Sequence, residues 1–389
     1  MILLIFLLCI QHVLGKGYLR LPNSKIDTYV GSEKELVSIN IDMTKSDLLL
    51  FNSSTACSWS GNSNTTDAQA LYQVCSTQAS VFHDGNSKSF VKNGTQYSYS
   101  FESGDLVGYG NVWGIDTFNI GNKTIKGMQM SLLNQSTSVY GVLGVGFIED
   151  EFCNRNNLNN GQSSVKYLNF PYQLKNQGII KKAMYSLNSL PFSMSEFLFG
   201  AINHEKYRGD LVQIPLIDKS LQFKTDGIIL NDLALSNSTI TTIIDNNSYN
   251  LGLPPLIFNT IMNLLNANIS SDYPDYYQTS NTNDTIYFKF GDLVIPISFQ
   301  NLVDSNGLIS IVQSKEKIVL GRPFLIDAYI VVDLEDEALF IGRAASPNNK
   351  DDITVVGKGS NSTEIAFNSA STYSFPWMLY LLPLTLYLI

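Results

Sequence analysis

The sequence predicts a mainly β, two-lobed fold, and three observations carry that expectation. Its apolar residues fall in short runs cut by Gly, Asn, Asp and Ser, the punctuation of strands and turns. Charged residues make up only 15% of the 389, while 20 Tyr and 21 Phe lift the aromatic share to 11%, a composition poor in the residues that build long helices. The third is an internal echo: an apolar strand ending on an aspartate, then a later apolar strand carrying a glycine, occurs once in each half. The chain is long enough for two cores of ordinary size.

Residues 1–10 read MILLIFLLCI and are followed by the small residues Gly15 and Gly17. A basic n-region is missing, but the pattern is otherwise that of a cleaved signal peptide over 1–17, with Val13 and Gly15 placed for the peptidase. A retained membrane span needs a longer run. Export sets the redox compartment. Cys9 leaves with the leader, Cys57 and Cys75 flank a polar loop that a disulfide can close, and Cys153 is left as a free thiol or as the partner of another chain.

The first lobe is expected over 18–190. SINID (38–42) is an alternating strand that delivers Asp42, IKGMQMSL follows as a strand, and GVLGVGF (141–147) answers it. A short helix is expected within 165–177. The second lobe, 191–345, repeats the order: TTIID (241–245) delivers Asp245 and IVLGRPF (318–324) answers it. A helix is expected over 254–266, after the Leu-Pro-Pro, and LVIPISF and AYIVVDL read as strands. Glycine in the answering strand lets it pass close to the loop that bears the aspartate.

A Ser/Asn-rich linker is expected over 346–374. The chain then ends on FPWMLYLLPLTLYLI (375–389), with no charge after it and two prolines inside it. Small residues (GKGSNST, 357–363), a polar spacer and a terminal apolar tail form the signal for a glycosylphosphatidylinositol anchor, which places the mature chain at the membrane surface or cell wall. Gly359, Asn361 and Asn368 are the candidate attachment residues. A tail-anchored helix is the competing reading, disfavoured by the leader at the other end. Sequons at Asn52, Asn64, Asn93, Asn122, Asn134, Asn237, Asn268 and Asn283, with further matches at Asn246 and Asn361, suit an exported glycoprotein. A net charge of −9 leaves no basic surface for nucleic acid. The expected assembly is a monomer.

Beyond these patterns, the chain resembles the pepsin-type (A1) aspartic endopeptidases, and most of all the yeast yapsins and candidapepsins. The stretches that carry the resemblance are VGSEKELVSINIDMTKSDLLLF (30–51), the loop bounded by Cys57 and Cys75, WGIDTFNIG (113–121) and YGVLGVGF. They continue through YLNFPYQLKNQGIIKKAMYSL (167–187), FLFGAINHEKYRGDLVQIPL (197–216), IIDNNSYNLGLP (243–254) and VLGRPFLIDAYIVVDLEDEALFIG (319–342). The resemblance implies a bilobal fold with a pseudo-twofold axis and a central cleft. It also implies peptide hydrolysis by a water held between Asp42 and Asp245, which share one proton, with protein or peptide substrates and no cofactor or metal. Only His12, His83 and His204 are present, so neither a Ser-His-Asp triad nor an HExxH zinc site is written here.

The family pattern at each aspartate is Asp-Thr/Ser-Gly followed by Ser or Thr. This chain has Asp42-Met43-Thr44-Lys45 and Asp245-Asn246-Asn247-Ser248. Met43 lacks the hydroxyl that bonds across the lobe junction, and Asn246 is expected to replace it only in part. Thr44 carries a β-branch where glycine permits a tight turn, and Asn247 is the milder exchange. A cation at Lys45, if turned inward, favours the doubly ionised pair. The flap aligns Phe101 to Gly104 with the family's Tyr-Gly-Asp-Gly turn and loses its hydroxyl. The stretch from Gly17 to Ile41 holds the first strands and no zymogen segment. Two functions follow: an acid-optimum endopeptidase, or a pseudoprotease that keeps the cleft as a peptide-binding or structural wall glycoprotein.

Overall fold

In this computed structural model the described residues are 16–57, 81–92, 99–103, 106–136, 140–151, 167–190, 195–217, 220–236, 238–274 and 276–357. Strands dominate, as the composition requires. Two helices fall inside the expected windows: Phe170–Asn176, with Pro171 in its first turn, and Pro255–Leu264. Proline suits the first turn because its missing N–H has no intrahelical partner to lose there.

The first half is built on an eight-stranded sheet. Its strand Glu35–Asp42 alternates as written: Val37, Ile39 and Ile41 are fully buried while the residues between them are not. A period of two is what a strand with one face on a core demands. This strand runs parallel to Gly141–Gly144, with Asp42 opposite Gly144. The second half repeats the device in a six-stranded sheet, where Ile240–Ile244 runs parallel to Ile318–Leu320. Beside it stands a four-stranded sheet ending on Leu293–Ser298.

A third, six-stranded sheet joins the two halves. It runs Leu19–Leu21, Glu196–Phe199, Met184–Asn188, Ala328–Asp333, Ala338–Ala344, Tyr207–Ile214. Its central strands Met184–Asn188 and Ala328–Asp333 are buried at every position, which is why they read as near-continuous apolar runs. At one end Lys182 is buried against Asp333 at 2.5 Å and reaches Asp336 at 2.7 Å. Strands from the start, the middle and the end of the chain thus share one sheet.

The expected linker over 346–374 begins with ordered structure. Ile353–Val355 pairs with Ala201–Asn203, and Val356 is buried in a small cluster with Ile202, Tyr207 and Tyr329. Arg20 grips Asp351 through two bonds of 2.8 and 2.7 Å, and Asn203 Nδ2 adds a third of 2.8 Å. These donors, led by Arg20, hold the Asp351 carboxyl down to about 2. The sequence hides this clasp because SPNNKDD is polar and the strand behind it has three residues; the partners lie about 150 and 330 positions upstream. Residues 1–15 of the expected leader, 358–374 of the expected linker and the whole tail over 375–389 lie outside the described residues. Among the described residues no helix is long and apolar enough to cross a membrane.

Candidate active site

Each aspartate sits at the end of a strand, on a loop held by the glycine of the answering strand. A Cβ on Gly144 would meet the Asp47 nitrogen at 2.4 Å, and one on Gly321 would meet the Asn250 oxygen at 2.2 Å. Only glycine lets these strands approach so closely. Backbone bonds tie each aspartate to its answering strand, in opposite directions: Val145 N–H donates to the Asp42 carbonyl at 3.0 Å, and Asp245 N–H donates to the Leu320 carbonyl at 3.1 Å. Gly146 N–H reaches the Lys45 carbonyl at 2.7 Å, and Arg322 N–H reaches that of Ser248 at 2.9 Å. Two loops of one design face each other across the joint.

The carboxylates are pinned alike. Asp42 Oδ1 accepts from the Thr44 N–H and from the Thr44 hydroxyl, both at 2.7 Å. Asp245 Oδ1 accepts from the Asn247 N–H at 2.9 Å and the Ser248 N–H at 3.3 Å. The loop donors thus converge on Oδ1 of each aspartate. Thr44 is not among the residues with positive φ, so its β-branch is under no such strain, and its N–H reaches the carboxylate as a glycine's would. Its hydroxyl adds a donor that the family's glycine cannot offer. An Asp-x-Thr spacing is itself a local signal for this bond, since a hydroxyl two residues on lies within reach of the carboxylate.

Asn246 makes the joint between the halves. Its Oδ1 accepts from the Met43 N–H at 3.0 Å, and its Nδ2 donates to the Ile41 carbonyl at 2.7 Å. Asn247 Nδ2 donates to the same carbonyl at 3.2 Å. The expectation that Asn246 bridges only in part is therefore too weak for this side: one amide supplies both an acceptor and a donor to the opposite loop. Asn246 is also fully buried, so its sequon has no room for a glycan. On the other side Met43 packs, buried, into the core. The grip runs from the second loop to the first.

Electrostatics follow from this geometry. Burial, and then the charge of Asp42, push the Asp245 carboxyl up to about 6, against the N–H groups of Asn247 and Ser248 and the Lys45 ammonium. The half-buried Lys45 is thus near enough to oppose the shift and does not cancel it. Behind the first loop, Glu151 is fully buried, and its desolvation, with Asp47 nearby, pushes its carboxyl up to about 10. Tyr185, on the shared sheet, has a fully buried hydroxyl that feels the Asp42 charge. Glu151 and Tyr185 carry no sequence signal; only the fold buries Glu151 near Asp47 and brings Tyr185 within reach of the Asp42 charge.

The other expected positions are scattered. Phe101 lies on the strand Tyr99–Ser103, opposite Gly108 of Leu106–Ile120; its side chain and Gly104 lie outside the described residues. Cys57 ends the strand Leu48–Cys57, while Cys75 and Cys153 lie outside the described residues. Asn122, Asn268 and Asn283 are exposed and Asn52 is half-buried; Asn64, Asn93 and Asn237, and the side chain of Asn134, lie outside the described residues. His204 bonds Tyr207 and Thr354 at 2.7 and 3.0 Å, within the carboxyl-terminal clasp, and His83 lies 3.3 Å from Glu35.

The family model described as "Eukaryotic aspartyl protease" matches residues 25–344, which takes in both loops and all of the shared sheet but its first strand, Leu19–Leu21. The chain belongs to the eukaryotic aspartyl protease family. Among its relatives, aspartic proteinase 3 of Saccharomyces cerevisiae is 29% identical over 322 residues, covering 76% of this chain and 56% of that protein. Secreted aspartic protease 9 of Candida albicans is 30% identical over 302 residues, 71% of this chain and 54% of that one. Secreted aspartic protease 10 of the same species is 25% identical over 365 residues, 89% and 77%. The chain thus spans about half the length of the first two and more of the third. Within this aspartyl protease architecture, the departures from Asp-Thr/Ser-Gly keep an N–H two residues on from each aspartate and one arm of the bond network between the loops.

Proposed function

We propose that the chain is an exported, surface-anchored aspartic endopeptidase that hydrolyses peptide bonds in proteins at acidic pH. The observation that carries this reading is the pair of aspartates on matching loops, each pinned through Oδ1, with one carboxyl raised by burial and by the charge of the other. Two carboxylates so placed favour the state with one proton between them. In that state the ionised member takes a proton from a water as it attacks the scissile carbonyl. The protonated member donates its proton to the developing oxyanion; the other then passes the proton it took from the water to the leaving nitrogen, as the diol collapses and returns a proton to the first. The N–H donors on Oδ1 stabilise whichever carboxyl is ionised.

Export and anchoring rest on the apolar leader, the sequons and the apolar carboxyl-terminal tail, and the names of the Candida relatives agree with export. A second reading, a cleft that binds peptides without cutting them, draws on Met43 and Lys45, which remove a cross-loop hydroxyl and add a cation. Purified protein is tested on a denatured protein substrate from pH 3 to 6, with and without a pepstatin-type inhibitor. Cleavage abolished by Asp42→Asn supports the endopeptidase. Peptide binding without cleavage in wild type, with cleavage gained when the Asp-Thr-Gly and Asp-Ser-Gly motifs are restored, establishes the second reading.

A further inference from the structure

A cavity of about 790 Å³ opens between the outermost strand of the shared sheet, Tyr207–Ile214, and the outermost strand of the four-stranded sheet, Leu293–Ser298. None of its lining residues belongs to either aspartate loop. Arg208 and Arg343 lie in it as direct cross-strand neighbours. Like charges in that position repel unless something answers them. Each guanidinium is anchored by a neutral acceptor: Arg343 Nε donates to the Val294 carbonyl at 2.8 Å, and Arg208 donates to the Ser346 hydroxyl. Among the described residues neither forms an ion pair. A guanidinium has five N–H donors, and one such bond leaves most of them unspent. Beside the arginines the wall is apolar, from Leu190, Val212, Val294 and Pro296.

We propose that this cavity binds an organic carboxylate carried on a short apolar group, held by Arg208 and Arg343 with its apolar part against the Val, Leu and Pro wall. The shared chemistry fits either the free C-terminus of a peptide or a free aliphatic acid. Paired arginines match the planar fork of a carboxylate. The charged lining groups are Arg208 and Asp210 on one strand, Asp292 at the turn before the opposite one, Arg343, and Asp327 below. Asp327 accepts from Asn301 at 3.2 Å, and burial pushes its carboxyl up to about 6. Protonation of Asp327 removes one negative charge from the cavity, so binding strengthens as pH falls through that value.

The test is calorimetric titration of the purified protein at pH 5 and 7 with four probes: hexanoate, the tripeptide Ala-Ala-Leu as free acid, the same peptide as C-terminal amide, and inorganic phosphate. Hexanoate or the free-acid peptide is expected to bind more tightly at pH 5. The amide and phosphate are expected to bind at least about tenfold more weakly. Arg208→Ala and Arg343→Ala should each weaken binding by about tenfold or more. Both side chains are exposed, so these variants are expected to fold. A tighter peptide assigns a peptide terminus and a tighter hexanoate a free aliphatic acid. Unchanged binding in both arginine variants, phosphate binding as tight as hexanoate, or no binding at all overturns the proposal. So does binding lost in Asp42→Asn, since the probe then sits in the cleft; this variant also separates failure here from failure of the endopeptidase reading.

Discussion

Replacing Asn246 by alanine tests the joint between the two aspartate loops most directly. The side chain is fully buried and spends its amide on two partners of the opposite loop, the Met43 N–H and the Ile41 carbonyl. Their fates differ. The Met43 N–H loses the bond that Asn246 gives it, and a buried polar group left unpaired costs about 1–3 kcal/mol. The Ile41 carbonyl keeps Asn247 Nδ2 at 3.2 Å, so its loss is small. The void left by the amide adds about 1 kcal/mol. Asn246→Ala should therefore destabilise by about 2–4 kcal/mol, and Asn247→Ala by about 1 kcal/mol or less. The double variant removes both donors from one carbonyl, so its cost should exceed the sum by about 1–2 kcal/mol. Denaturant unfolding of the four proteins measures this cycle. Asn246→Ala within 0.5 kcal/mol of wild type, or additivity to within about that margin, would refute a joint made by Asn246.

Three further outcomes are expected. With Asp245 raised to about 6, the singly protonated dyad is lost as pH rises through that value, so peptide cleavage should fall on that limb. Lys45→Ser removes a cation that opposes the shift and should move the limb to higher pH; a pH–rate profile reads both. Glu151 holds its proton to about pH 10 when folded but only to about 4.5 when unfolded, so its contribution is full below the lower value and fades as pH rises towards the upper. Unfolding midpoints at pH 5, 7 and 9 should therefore decline, and decline less in Glu151→Gln. Lys182→Ala leaves Asp333 buried without its nearest cation and should cost about 3–5 kcal/mol by denaturant unfolding, whereas a loss below about 1 kcal/mol would mean that water reaches the pair.

Much of the architecture was legible because strands buried on one face must alternate and strands buried on both must run apolar. Glu35–Asp42 shows the first pattern and Ala328–Asp333 the second. The echo of aspartate strand and glycine strand was equally legible, since a glycine at Gly144 or Gly321 leaves no substitute where two backbones meet. The local surroundings of the aspartates were less so. Judged by residue type, Thr44 breaks the family turn; in the fold its backbone stays out of the left-handed region, and both its N–H and its hydroxyl serve Asp42.

By itself, then, the sequence determined the class of fold, the two aspartates and their family, because period, glycine spacing and motif order are written along the chain. Tertiary structure decided what the residues beside the aspartates do. Asn246 becomes a cross-loop bridge only because Ile41 and Met43, more than 200 positions away, present a carbonyl and an N–H to it. Arg20 and Asp351 close the carboxyl-terminal clasp for the same reason. A hydrogen bond needs its donor and acceptor within about 3 Å, and that proximity is a property of the folded chain alone.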